Sequence, residues 1–215
     1  MKRILFQGDS ITDCGRARDN NTHVGTGYAV LVKSQLGFEN PGEYEFYNKG
    51  ISGNRIVDLY ARIKADIINL SPDYISILIG VNDVWHEFFG HNGVDADKYE
   101  KIYCMLIEEI KEALPDVKIM IMEPFCLQVT ATNDAEEGTN KWSMIDAEVR
   151  KRAAKSKKVA EKYNLVFVEL QNLFDKATEI KEGRYWLADG VHPTAIGHEL
   201  IKREWMKAFE KMKAL

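Results

Sequence analysis

Five short apolar runs, separated by longer segments with helical spacing, constrain the fold of this chain most strongly. The runs cover residues 4–6, 44–47, 74–79, 117–122 and 165–170. Each is short and most are followed by Gly, Asn or Pro, as in strands buried on both faces of a parallel sheet. Strands that alternate with helices predict a doubly wound α/β fold. We expect a five-stranded parallel sheet in the flavodoxin-like order 2-1-3-4-5.

The segments between these runs predict amphipathic helices. Residues 55–70, 98–114 and 145–163 each place apolar side chains on one helical face. A final helix is expected after Pro193, with Thr194 as its N-cap. Its apolar face would contain Ile196, Leu200, Trp205, Phe209 and Met212. The basic run at 149–158 overlaps a helical apolar stripe, so we interpret its charges as a solvated face rather than a nucleic-acid patch.

Bulk composition excludes several classes of protein. The 215 residues are 45% hydrophobic and 29% charged, with a formal net charge of −4, which suits one globular domain over 1–215. This balance indicates no nucleic-acid or membrane partner. The apolar run at the start is shorter than the roughly 7–15 residues of a secretory signal. We therefore expect a cytoplasmic protein.

The cysteines and histidines do not predict a cofactor. Cys14, Cys104 and Cys126 are odd in number and lack C-x-x-C spacing, which argues against a disulfide framework or a structural zinc site. His86 and His91 have no further placed ligands that would indicate a metal. No G-x-G-x-x-G sequence follows a predicted strand, so a nucleotide is not expected. We predict that the protein needs no metal and no cofactor.

Four short motifs stand at predicted strand or helix ends. They are GDSIT (8–12), NKGISGN (48–54), GVND (80–83) and DGVHP (189–193). Each alone is also typical of an ordinary turn or cap. Ligands of open α/β sheets bind at the carboxyl ends of the strands, where the first three motifs fall. Their combination favours a catalytic site.

The residue types in these motifs suit nucleophilic catalysis. The Ser10 hydroxyl would need a base to take its proton and donors for the oxyanion that forms. His192 is the candidate base, and Asp189, three residues earlier, can accept from its Nδ1–H. Asn82 offers an amide donor, and the backbones of Gly53 and Ser10 offer N–H groups.

These motifs resemble the four sequence blocks of the SGNH (GDSL) hydrolases, over nearly the whole chain from Gly8 to Pro193. The resemblance implies a three-layer α/β/α sandwich. It implies Ser10 as nucleophile, completed by Asp189 and His192. It also implies an oxyanion hole made by the Ser10 N–H, the Gly53 N–H and the Asn82 side chain.

Longer strings, such as GDSITDCGRAR and PDYISILIGVNDVWHEF, look like the intracellular acetylxylan esterase branch of this family. That branch deacetylates xylo-oligosaccharides, and relatives of this type often assemble, so we expect a carbohydrate ester substrate and a homo-oligomer. An esterase of another class, such as a lysophospholipase or an acyl-CoA thioesterase, is the alternative. A non-catalytic module that binds a glycan or a protein is the third reading, and the intact set of five residues argues against it.

A second group of residues comes from proximity to the motifs. Asp9 is expected to brace the turn before Ser10, with a second catalytic acid or a substrate contact as the alternatives. Tyr28, Trp85 and Trp186 are either core residues or part of a sugar-stacking wall. We expect loops at 85–97 and 127–143 to border the crevice. His198 is expected to be a packed histidine rather than a second base.

Overall fold

A five-stranded, fully parallel sheet forms the centre of the protein in our computed structural model, which describes residues 1–129 and 141–214. Its order is β2-β1-β3-β4-β5, as predicted. All five predicted strands are confirmed, with shifted ends, and the edge strand β5 is the most shortened. The bounds are Lys2–Gly8 (β1), Tyr44–Asn48 (β2), Tyr74–Leu78 (β3), Lys118–Met122 (β4) and Val166–Val168 (β5).

Helices cover both faces of the sheet, which confirms the α/β/α arrangement. Successive residues of β1 alternate between two apolar clusters, with Ile4 and Phe6 on one face and Leu5 on the other. The helices are Ser10–Asp13 (α1), Tyr28–Glu39 (α2), Ile56–Ala61 (α3), Ile63–Asp66 (α4), Val81–Gly90 (α5), Ala96–Ala113 (α6), Lys141–Lys162 (α7), Gln171–Ala177 (α8), Gly183–Trp186 (α9) and Ala195–Ala214 (α10). Helices α2 and α10 pack on the first face, and α3 and α6 on the second.

The single helix predicted at 55–70 is wrong, because the chain breaks it into α3, α4 and a short 3₁₀ turn. The break lies at Arg62, whose backbone leaves the helical region at φ −113° and ψ 14°. Its guanidinium donates to the carbonyls of Lys49, at 2.7 Å, and Gly8, at 3.3 Å. These two hydrogen bonds hold the Arg62 side chain against the ends of β1 and β2, at the residue where the helical backbone is interrupted.

The loop predicted at 85–97 is also wrong over its first half. Helix α5 continues through Gly90, and the chain leaves it at His91, whose φ of 48° is left-handed. No proline interrupts residues 81–90, so nothing in the sequence prevents this helix. Of the segment predicted as a loop at 127–143, residues 130–140 lie outside the described part, and 141–143 begin α7.

The final helix matches its prediction with one exception. Thr194 caps it by accepting a hydrogen bond from the Gly197 N–H at 3.2 Å. Trp205, Phe209 and Met212 are fully or almost fully buried, whereas Ile196, which we placed on the same face, is exposed. Among the described residues, no helix is long and apolar enough to cross a membrane.

The basic run of α7 is paired rather than free, as expected for a solvated face. Lys151 contacts Glu148 at 2.5 Å, and Lys155 lies 2.8 Å from Asp97. Arg152 also pairs with Glu148, but it is buried and donates to the Val94 carbonyl at 2.7 Å. The run therefore serves the surface and the packing of α7 onto its neighbours.

Candidate active site

Ser10 opens helix α1 directly after β1, at the carboxyl edge of the sheet. Asp9 is its N-cap and accepts from the Ile11 N–H at 3.0 Å. Gly8 is required by close approach, because a Cβ there would lie 2.3 Å from the Leu78 carbonyl oxygen of β3. Strand β1 can thus end against its neighbour and turn at once into a helix. Asp9 is 1% exposed, which confirms its bracing role and contradicts a substrate contact.

Ser10, His192 and Asp189 form one continuous hydrogen-bonded chain. The Ser10 Oγ lies 2.8 Å from His192 Nε2, and His192 Nδ1 lies 2.6 Å from Asp189 Oδ2. The carboxylate therefore favours the tautomer with the proton on Nδ1, which leaves Nε2 to accept from the serine hydroxyl. This arrangement can remove the Ser10 proton as its oxygen attacks an acyl carbon.

The loop that carries His192 is held from both sides. Asp189 Oδ1 accepts from the backbone N–H of Val191, at 3.0 Å, and of His192, at 2.8 Å. On the far side, the Thr194 hydroxyl donates to the Tyr185 carbonyl at 2.8 Å. The same aspartate thus shapes its own loop and orients the imidazole, which explains why a spacing of three residues suffices.

The pKa values of the Ser10–His192–Asp189 hydrogen-bond series follow from the same contacts. The hydrogen bond to Asp189 raises the pKa of His192, more than burial lowers it. Burial alone would raise the pKa of Asp189, but the hydrogen bonds from the His192 side chain and from two backbone N–H groups hold it well below its usual range. Burial raises the pKa of the neighbouring Asp9 to about 7.

Activity should rise with pH through one ionisation. His192 must be neutral to accept a proton, and its raised pKa keeps it charged to a higher pH than a free histidine. We expect kcat/KM for 4-nitrophenyl acetate, followed over about pH 5–9, to increase with an apparent pKa above about 6.5. Asp189→Asn should lower both the rate and this pKa. Asp9→Asn is the control, since burial raises the pKa of its carboxyl to about 7. Loss of the ionisation in Asp9→Asn, or a flat wild-type profile, would contradict the assignment to His192.

Asn82 and Gly53 meet at the same edge of the sheet. Asn82 lies in the first turn of α5, after β3, and its Nδ2 donates to the Asn54 carbonyl at 3.1 Å. An amide nitrogen carries two protons, so this bond orients the group and leaves a second donor. Gly53 adopts φ 82°, a left-handed conformation that strains other residues. The Asn82 side chain is thus tied to the turn that carries Gly53, so two of the predicted oxyanion donors are linked.

Two buried carboxylates that we did not select from the sequence fix this turn. Asp13 Oδ2 accepts from both the N–H and the hydroxyl of Ser52 at 3.0 Å. Asp83 accepts from the Ile56 N–H at 3.1 Å. They are 4% and 0% exposed, respectively. Their places inside GDSITD and GVND were the available signal, because each acidic residue follows a strand end. The segment that carries Gly53 is therefore anchored on both sides.

Asp13→Ala should lower kcat for 4-nitrophenyl acetate by roughly ten- to a hundredfold, because a misplacement of about 1 Å can have effects of this size. KM should change little, since Asp13 lies beneath the turn and its own side chain is buried. Ser52→Ala removes only the hydroxyl contact and should have a smaller effect. Steady-state kinetics on the three proteins tests this. A rise in KM alone would show that Asp13 acts on substrate binding instead.

The aromatic residues near the motifs divide into core and surface. Tyr28 is fully buried and its hydroxyl lies 3.0 Å from Thr12 Oγ1, so its assignment to a sugar wall is wrong. Trp186 is 7% exposed, and its indole N–H donates to the Lys181 carbonyl. It too belongs to the core rather than to a sugar-binding wall. Trp85 alone of the three is half-buried.

His198 is a packed histidine, as predicted. Its Nδ1 accepts from the Tyr28 N–H at 3.1 Å, and its Nε2 lies 3.4 Å from Cys14 Sγ. Burial, with repulsion from His192, lowers its pKa to about 4. It is therefore neutral at physiological pH and supports the start of α2.

Comparisons with known proteins agree on one group. A family model described as GDSL-like lipase/acylhydrolase matches residues 6–200. An acetylxylan esterase from Geobacillus stearothermophilus is 34% identical to this chain, in an alignment that covers 96% of this chain and 93% of the relative. The crystal structure of a GDSL-like lipase candidate from Parabacteroides merdae gives a TM-score of 0.89 at 37% identity, covering 96% and 94% of the two chains.

The structure of Axe2, an acetylxylan esterase from Geobacillus stearothermophilus, gives a TM-score of 0.82 at 33% identity. The alignment covers 96% of this chain and 93% of Axe2. Axe2 variants in which a serine or an aspartate is replaced by alanine are described as catalytic mutants.

Proposed function

The chain belongs to the GDSL-like lipase/acylhydrolase family, and from this premise we propose that it is a serine esterase that removes acetyl groups from acetylated xylo-oligosaccharides. The family and its relatives make it a carboxylic ester hydrolase. The observation that carries the mechanism is the unbroken contact from Ser10 Oγ through His192 to Asp189, at 2.8 and 2.6 Å.

The proposed reaction has two steps. In the first, His192 Nε2 takes the Ser10 proton while Oγ attacks the acetyl carbon, and the sugar oxygen leaves with that proton. The acetyl group is then bound to Ser10 as an ester. In the second step a water molecule, deprotonated by His192, attacks the same carbon and releases acetate. Asp189 stabilises the imidazolium that exists between these proton transfers.

The negative charge that develops on the acetyl oxygen needs fixed donors. The Gly53 N–H, the Ser10 N–H and the free amide proton of Asn82 would supply them, with no reorganisation at the moment of reaction. The anchoring of the 52–56 segment by Asp13 and Asp83 supports this role, because a preorganised donor is worth more than a mobile one.

The acetylated sugar is supported by two observations. Proteins named acetylxylan esterase match this chain over 93% of their own length. Next to Asn82, helix α5 presents aromatic and polar side chains, which suit a hydroxylated ring better than a lipid tail.

A direct comparison of substrates tests this function. We expect kcat/KM to fall steeply from acetyl to butyryl to octanoyl esters, because overlap in a short acyl pocket discriminates more than the ~1–3 kcal/mol per missing methylene contact. Acetylated xylo-oligosaccharides should lose acetate faster than lysophospholipids or acyl-CoA are cleaved, at matched concentrations, as followed by mass spectrometry. Faster cleavage of octanoyl ester, acyl-CoA or lysophospholipid would overturn the carbohydrate assignment and leave a serine esterase of another class.

A further inference from the structure

One face of α5 leads away from the proposed oxyanion hole, and beyond Asn82 its side chains have no role in the reaction steps above. Asn82, Trp85, His86 and Phe89 stand at positions i, i+3, i+4 and i+7 of this helix, so they share one face. Helical side chains lean toward the N-terminus of their helix. The rings of Trp85 and His86 therefore lean back toward Asn82.

This face borders the turn that carries Gly53. A Cβ placed on Gly53 would lie 3.9 Å from His86 Nε2. On the same face, one turn earlier, Asn82 donates to Asn54 at 3.1 Å. His86 is half-buried. Its imidazole thus lies beside the turn that carries Gly53, one of the proposed oxyanion donors.

Beyond His86 the face is aromatic and open. The rings of Trp85 and Phe89 are in contact, with centroids 4.6 Å apart and an interplanar angle of 35°. Phe89 is 49% exposed. Val84, on the opposite side of the helix, is buried in the core. Trp85 packs against the core and Phe89 extends the aromatic surface into solvent, on the same helix face as Asn82. This placement is typical of a binding surface.

We propose that Trp85, His86 and Phe89 form the subsite for the sugar ring of the leaving group, an inference that rests on the proposed deacetylation. The apolar C–H face of a pyranose fits the aromatic pair. His86 supplies a ring nitrogen that can donate to or accept from a sugar hydroxyl. A ring bound there extends its ester oxygen toward Asn82 and Ser10. The occupant is the carbohydrate, and the acetyl group lies on the other side of the scissile bond.

The subsite predicts a loss that depends on the leaving group. Phe89→Ala should lower kcat/KM for acetylated xylobiose by roughly three- to tenfold, through KM, the size expected for one aromatic contact. Hydrolysis of ethyl acetate, whose leaving group is too small to reach the pair, should be unchanged. Trp85→Ala should also lower kcat/KM for acetylated xylobiose, and because Trp85 packs against the core, the thermal unfolding of this variant is followed in parallel. Phe38→Ala is the matched control, since Phe38 is 87% exposed at the end of α2.

Inhibition by xylobiose separates this inference from the proposed function. Xylobiose has no ester, so it should compete with ethyl acetate in the wild type, with a Ki that rises in Phe89→Ala but not in Phe38→Ala. Absence of inhibition, or equal losses on the sugar ester and ethyl acetate, would overturn the subsite. Inhibition that weakens in Phe89→Ala, without cleavage of acetylated xylobiose by the wild type, would support the subsite and overturn the proposed substrate.

Discussion

Ser10→Ala should remove nearly all hydrolysis of 4-nitrophenyl acetate, a loss of roughly 10⁶-fold in kcat, because both steps of the proposed reaction pass through its oxygen. The fold should survive, since the hydroxyl is bonded to His192 on the rim of the site and its removal leaves the backbone of α1 unchanged. The backbone N–H of residue 10 remains, so the residual rate should still exceed that in water. Stopped-flow or steady-state kinetics of the purified variant gives the ratio directly.

The control for this substitution is Ser34→Ala, which removes an exposed hydroxyl from α2 and should leave the rate unchanged. A fluorophosphonate probe adds a second readout, because it should label the wild type and Ser34→Ala but not Ser10→Ala. Retention of about a tenth of the wild-type rate by a pure, folded Ser10→Ala protein would show that another group attacks the ester. Labelling that persists in Ser10→Ala would give the same answer independently of the assay.

The parts of the fold predicted correctly were those governed by periodicity. The strands were recognisable because residues such as Ile75 and Ile121 are buried in a parallel sheet and form continuous apolar runs. The helix at 55–70 was mispredicted because its apolar spacing persists across Arg62, while the break depends on carbonyls of Gly8 and Lys49 that are distant in sequence. Long-range hydrogen bonds of this kind leave no local pattern.

In the candidate site, too, residues in local motifs were predicted correctly, whereas residues that depend on distant contacts were not. Ser10, Asp189 and His192 could be selected because their chemistry and motifs are local, and the structure brings them into contact. Tyr28 was misplaced because proximity in sequence to a motif does not reveal which side of the chain faces solvent. Asp13 was missed because its role depends on a hydrogen bond with Ser52, which lies on another strand-end loop. Supporting residues are therefore the part of a site that sequence reasoning recovers least.

Asn82→Ala should lower kcat by roughly 10²–10³-fold, about 2.7–4 kcal/mol, with little change in KM. The side chain is 9% exposed and its Nδ2 is already held by the Asn54 carbonyl at 3.1 Å. The amide is therefore held in place before the substrate arrives. A neutral ester oxygen gains little from it, whereas the oxyanion of the tetrahedral intermediate gains much, so the effect should fall on the chemical step. Steady-state kinetics with 4-nitrophenyl acetate separates kcat from KM.

Asn82→Asp is the sharper companion, because it keeps the shape of the side chain but replaces the donor with an acceptor. It should be at least as slow as Asn82→Ala, since a carboxylate beside a developing oxyanion is repulsive. Asn92→Ala, beyond the end of α5, is the matched control and should retain full activity. If Asn82→Ala raised KM and left kcat intact, Asn82 would be a substrate contact and the oxyanion would have to be stabilised by backbone groups alone. If Asn82→Asp were active, the amide proton would have no part in the reaction, and the side chain would matter only for its bond to the Gly53 turn.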